Sequence, residues 1–127
     1  MATQQEGIDV SMKASADLSS YQYCLVYASA DDTVALATSP THSIVGILQN
    51  KPAGTSRAAA VRVAGVSKLV AHAAATIGAY VTAGTTGRGS TTTTQGHVVG
   101  GQVLDGVDAA GEIMSVKVCH FTYQAVA

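Results

Sequence analysis

Turn-forming residues cut this chain into short apolar runs at close spacing. Ser29-Ala30-Asp31-Asp32, Ser39-Pro40, Asn50-Lys51-Pro52-Ala53-Gly54 and the Gly- and Thr-rich stretch 84–96 each interrupt a run of Val, Ile, Leu, Tyr or Ala. Asn, Pro and Gly bend the backbone for separate reasons: a local side-chain hydrogen bond, a fixed φ and an open φ. Runs of this length that are rich in β-branched and aromatic residues make strands, and a succession of them folds as an all-β barrel or sandwich. The pattern predicts about eight short strands.

The runs have the period of half-buried strands. Residues 21–28 carry three tyrosines with Leu25 and Val26, and 33–38 follows at hairpin distance, so the two are expected to pair. Residues 43–49, 58–63, 78–82 and 97–104 are further strands, and in 58–63 the apolar Val61 and Val63 flank Arg62, which puts the charge on the other face. The closing run, 112–121, sets Met114, Val116, Val118 and His120 against Ile113, Ser115, Lys117 and Cys119. One stretch fits two periods: Val63, Val66, Val70, Ala73 or Ala74 and Ile77 also keep helical spacing. Gly65 and the valines favour a strand over 66–71, followed by a turn or short helix through the alanines.

With 127 residues, 47% of them hydrophobic and 12% charged, the chain is expected to form one small domain. Residues 21–127 make up that domain, with a surface loop or Thr-rich edge strand at 84–96. Residues 1–20 are polar and read as an extended N-terminal arm. In the arm Ile8, Val10 and Met12 alternate with Asp9 and Ser11, a strand period suited to pairing on docking. The core must be built from Ala and Val, since the chain holds five Tyr, one Phe and no Trp. Burying a Val or Leu gains roughly 1.5–3 kcal/mol and an Ala far less, so such a fold suits a protein stabilised by what it binds.

A net charge of -1 gives no electrostatic footprint for nucleic acid or an anionic membrane. No apolar run approaches the roughly 20 residues of a membrane span, and the polar start lacks a secretory pattern. A soluble protein made in the cytosol is expected.

Candidate catalytic patterns fail on their chemistry. The glycine-rich segment Gly87-Arg88-Gly89-Ser90 has no lysine where a phosphate loop needs one, and Ser67 lacks the glycines of a nucleophile elbow. Asp31 and Asp32 are adjacent in a turn and do not converge on a substrate. His42, His72, His97 and His120 are dispersed, and Cys119 and His120 point to opposite faces of a strand. Cys24 and Cys119 read as reduced thiols, with a cross-strand pairing left open. The expectation is therefore contact and not catalysis, with no catalytic residue, no cofactor and no metal.

Residues 44–52, Ile-Val-Gly-Ile-Leu-Gln-Asn-Lys-Pro, resemble a recurrent "G-(V/I)-L-Q-N-K-P" segment of the small capsid cement, or head decoration, proteins of tailed phages. Ala16-Asp-Leu-Ser19 with Tyr21-Gln-Tyr23 is similar to that family's opening strand, 61–70 to its "V-x-V-x-G-V-x-K-V" centre, and 100–104 with 110–116 to its closing pattern. The Thr-rich loop from Thr85 to Thr94 and the tail after Val118 have no counterpart. The resemblance implies a compact β domain on the outer surface of a mature phage head, made in the bacterial host cytoplasm. It would bridge neighbouring subunits of the major capsid protein. A homo-oligomer, dimer or trimer, is expected from capsid symmetry. The expected contact residues are Ile8, Val10 and Met12 in the arm, able to add as a strand, and the turn Asn50, Lys51 and Pro52.

The alternative is a receptor- or glycan-binding β module on the virion surface, with Tyr21, Tyr23, Tyr27, Tyr80 and Tyr123 as platforms. Because most of these tyrosines fall in expected strands, core packing is the simpler account of them. A small hydrolase is a third reading, for which no convergent acid and base are in view.

Overall fold

The computed structural model describes residues 7–124. Among them are nine strands and no helix: β1 (Gly7–Ala14), β2 (Leu25–Ala30), β3 (Thr33–Leu36), β4 (Ile44–Leu48), β5 (Ala58–Val70), β6 (Tyr80–Ala83), β7 (Gly89–Thr91), β8 (Val98–Asp105) and β9 (Ile113–Thr122). The small all-β domain expected from the turn spacing is therefore observed, and it is a barrel with an extension. β1, β3, β2, β4 and β5 close on themselves into a five-stranded barrel, with β1 parallel to β3 and antiparallel to β5. β9, β8, β6 and β7 continue from the far half of β5 as a second sheet. The outer edge of that sheet returns to the end of β5 through one bridge, Ala71 to Gly89, where the His72 amide donates to the Gly89 carbonyl at 2.9 Å.

β5 belongs to both halves. Its first part pairs with β1 and β4, and the part from Gly65 to Val70 pairs with β9. The two strands expected at 58–63 and 66–71 are thus one strand of 13 residues, bent but not broken. Gly65 takes φ 100°, a conformation that costs glycine little and other residues much. Beside it the register with β1 shifts between Ile8 and Asp9, so that Val63 stands out of the ladder as a bulge. The alanines that follow form no helix. Ala75 and Val107 exchange backbone hydrogen bonds of 3.0 Å in both directions, and this long-range pairing overrides local helix propensity.

Alternation along β2 and β4 places the two cores. Val26 and Leu48 point into the barrel with Ala14, Val34, Ala59 and Val61. Leu25 and Ile47, their chain neighbours, point the other way into a second core with Leu69, Val81, Val103, Met114 and Val116. These strands form a wall buried on both faces, and it must be thin: a Cβ on Gly46 would collide with the backbone carbonyl of Arg62.

Several expectations shift at their boundaries. The hairpin of 21–28 with 33–38 is present as β2 and β3, turning at Asp31 and Asp32, but β2 starts only at Leu25. Residues 21–24 turn instead, with Tyr23 at φ 65° and the Cys24 amide donating to the Tyr21 carbonyl at 3.1 Å. The Tyr23 backbone links the halves: its amide donates to Leu48 O (2.7 Å) and its carbonyl accepts from Val70 N (2.9 Å). The 84–96 segment contains β7, the edge strand of the second sheet.

Within the stretch read as an arm, residues 7–14 form β1, laid along β5, while 1–6 lie outside the described residues. An ion pair fastens it there. The Arg62 side chain is only 9% exposed; its Nε donates to Asp9 Oδ1 at 2.7 Å and its Nη2 to Asp9 Oδ2 at 3.2 Å. Its Nη1 donates to the Val66 carbonyl at 2.9 Å, across the bend of β5. Asp9→Ala removes the carboxylate that meets this guanidinium from β1, and because Asp9 is itself 38% exposed the cost falls below that of a fully buried pair. A loss of about 1–3 kcal/mol is expected, read as a lower urea midpoint at unchanged slope; an unchanged midpoint would show that the pair does not hold β1.

Candidate functional site

The inward row of β1 emerges from the barrel along its length. Ala14 is buried, Met12 packs against the barrel core, Val10 is 38% exposed and Ile8 62%. Met12 is thus committed to packing, whereas Ile8 and Val10 form an apolar lip at the barrel mouth. One hydrogen-bonding edge of β1 is occupied by β5 from Gly7 to Lys13, but β3 covers the other edge only at Lys13 and Ala14. That second edge, from Ile8 to Met12, is the one that a further strand would use.

The turn residues Asn50, Lys51 and Pro52 are divided in the same way. Asn50 acts as a strand residue by proxy: its Nδ2 donates to Ala58 O at 2.9 Å and its Oδ1 accepts from Ala60 N at 3.0 Å. Pro52 is buried, and its carbonyl accepts from Leu18 N at 2.8 Å. Lys51 alone faces solvent. Asn50 meets β5 near Ala59, the residue that Met12 pairs with, and Ile8 meets it at Ala64, so Ile8 at the tip of the lip stands about 17 Å from Asn50 along that strand. The neighbouring Gln49 is structural too, its Nε2 donating to Ser67 Oγ at 2.8 Å and to Ile47 O at 3.0 Å.

A feature that sequence reasoning did not assemble lies at the other end of the molecule. Residues 74–80, 91–93, 104–108 and Tyr123 line an open groove of about 940 Å³ on the second sheet. Its aromatic wall is a cluster: the Tyr80 ring meets Phe121 edge-on at 5.1 Å and Tyr123 at 6.3 Å. Ile77, 75% exposed, and Leu104 stand beside it, with Asp105 at the end of β8 and Asp108 on the loop that follows. The five tyrosines therefore separate. Tyr21 and Tyr27 pack against the cores, Tyr23 lies under the Lys68 ammonium at 5.6 Å, and Tyr80 and Tyr123 face the groove. Alternation along β6 is the sequence signal for it, and this does not join Tyr80 to Tyr123 without the fold.

A smaller pocket of about 340 Å³ lies over Cys24, lined by Ser20, Tyr21, Gln22, Thr86 and Arg88. Among the described residues no group of three or more His, Cys, Asp or Glu side chains is placed to hold a metal. His42 stacks on Tyr27 at 3.9 Å and His97 Nδ1 shares a hydrogen with Thr92 Oγ1 at 2.7 Å, so both are tied into the packing. Cys24 and Cys119 are free thiols.

No protein-family model matches the chain, and no curated protein does. A solved structure is similar in fold: the N base of the head fiber protein gp8.5 of bacteriophage phi29 superposes with a TM-score of 0.67 over 92% of this chain and 98% of that one, at 12% sequence identity. Agreement over nearly all of both chains shows a shared fold.

Burial pushes the Cys24 thiol up to about 11, against a smaller lowering by Arg88, and it raises Cys119 as well. In the unfolded chain a thiol ionises near about 8.5. The contribution of Cys24 to stability is thus complete below that value and is lost as pH rises through the folded value. Urea midpoints are expected to fall between about pH 8.5 and 11, and less steeply in Cys24→Ala. Equal slopes in the two proteins would show that the thiol is solvated.

Proposed function

We propose that this chain is a structural protein of a phage virion, acting as a capsid decoration protein. It attaches to the outer surface of the mature head and bridges neighbouring subunits of the major capsid protein. The observation that carries the reading is the whole-chain likeness in fold to the phi29 head fiber N base. The ordered segments that resemble cement proteins, at 16–23, 44–52, 61–70 and 100–116, support it independently.

The physical work of such a protein is linkage. A domain that binds the expanded shell and not the immature one opposes loss of the shell by its differential affinity. Many copies on one lattice add as avidity, so no single interface has to be large. The contact surface proposed here is the uncovered edge of β1 with Ile8 and Val10, where a strand of a capsid subunit adds to the barrel and seats an apolar side chain on the lip. Lys51 is a second, separate contact. Symmetric capsid positions favour a dimer or trimer of the chain. Enzymatic turnover forms no part of this reading.

Purified protein added to mature heads that lack it is expected to bind at saturable copy number and to raise their resistance to heat, with no binding to immature shells. Ile8→Lys combined with Val10→Lys should weaken attachment by about tenfold or more while leaving the unfolding midpoint of the free protein unchanged. Heads that neither bind the chain nor gain heat resistance would overturn the proposal.

A further inference from the structure

Beyond attachment to a shell, we infer that the groove on the second sheet is a binding site for a neutral glycan, with a pyranose ring seated against Tyr123 and Tyr80 and its hydroxyls donating to Asp108. The groove holds the two kinds of surface that a sugar presents. A pyranose has an apolar face of C–H groups and a rim of hydroxyls, and here aromatic rings with Leu104 and Ile77 stand beside the hydroxyls of Thr76, Thr91 and Thr93 and the carboxylate of Asp108. At about 940 Å³ it has the volume of a small-molecule site.

Charge narrows the ligand. The lining includes Asp105 and Asp108 and no Lys or Arg, so phosphates, nucleic acids and acidic sugars are repelled. A peptide strand is disfavoured by the border of the groove. β7, the edge strand there, is three residues long and offers little backbone for strand addition.

The site is also formed in advance. The loops on its two sides are clamped by the reciprocal 3.0 Å hydrogen bonds of Ala75 and Val107, and a Cβ on Gly106 would collide with the Ala75 carbonyl. The Tyr123 backbone is held at both groups, its amide donating to His97 O at 2.8 Å and its carbonyl accepting from Gly96 N at 3.0 Å. A site whose backbone is fixed before binding loses little freedom when a sugar settles in it. The exposure of Ile77, which nothing among the described residues covers, is explained by the same ligand.

The test is an array of neutral and sialylated glycans probed with the full chain, followed by titration of the best neutral oligosaccharide by calorimetry. Binding confined to neutral glycans is expected. Tyr123→Ala and Asp108→Asn should each weaken it at least tenfold, and Tyr123→Phe, which keeps the ring, should retain most of it. Asp108 is exposed, so Asp108→Asn keeps the test alive if Tyr123→Ala fails to fold. No glycan bound, or binding that Asp108→Asn leaves intact, overturns the inference, as does preference for sialylated glycans or for an added lysine-rich peptide. Because head attachment is measured on β1 variants, the two proposals fail separately.

Discussion

β5 is the one strand shared by the barrel and the second sheet, and the fastening at its bend organises both. Gly65 supplies the turn in the backbone, and Arg62, lying across it, joins Asp9 of β1 to the Val66 carbonyl beyond it. A buried guanidinium is costly to leave unpaired, so the bend and the docking of β1 hold each other in place. Without this arrangement the barrel would lack its fifth wall, and the second sheet would lack a fixed angle to it.

Two cores follow from that shared strand. β2 and β4, buried on both faces, separate them, and Leu25 with Val26 and Ile47 with Leu48 serve one core each. Gly46 is what permits a wall this thin, since a Cβ there would collide with the Arg62 carbonyl. The Tyr23 backbone, in a conformation rarely taken outside glycine, stitches β4 to the end of β5 across the same wall. The two candidate binding surfaces are the lip and open edge of β1 at the barrel and the groove on the second sheet. They lie on different halves of one frame, so a partner at one leaves the other accessible.

Much of the fold is legible in the order of the residues. The hairpin turning at Asp31 and Asp32, the alternation in 112–121 and the strand character of the valines around Arg62 all reflect short-range rules, in which period and turn chemistry act over a few residues. The misleading signals are local too. The alanines after Val70 keep helical spacing, yet the Ala75 pairing with Val107 claims their backbone. Gly65 lies between the strands expected at 58–63 and 66–71; here partners on both sides carry one strand through it. Tyr21 and Tyr23 have the composition of a strand but lie in a turn, because the Tyr23 amide and carbonyl are drawn to Leu48 and Val70.

The contact residues show the same division. That Ile8, Val10 and Met12 share a face follows from alternation, and that Asn50 and Pro52 reverse the chain follows from their chemistry. That Met12 is spent on the core, that Asn50 serves as a surrogate strand partner, and that Tyr80 and Tyr123 meet over one groove required the closed barrel and the return of β9 beside β8. Periodicity and turn chemistry are properties of neighbours in the chain, so composition and order alone determined a small all-β domain built from short strands and small side chains. Which faces end up covered depends on pairings between residues dozens of positions apart, and only the tertiary structure decides those.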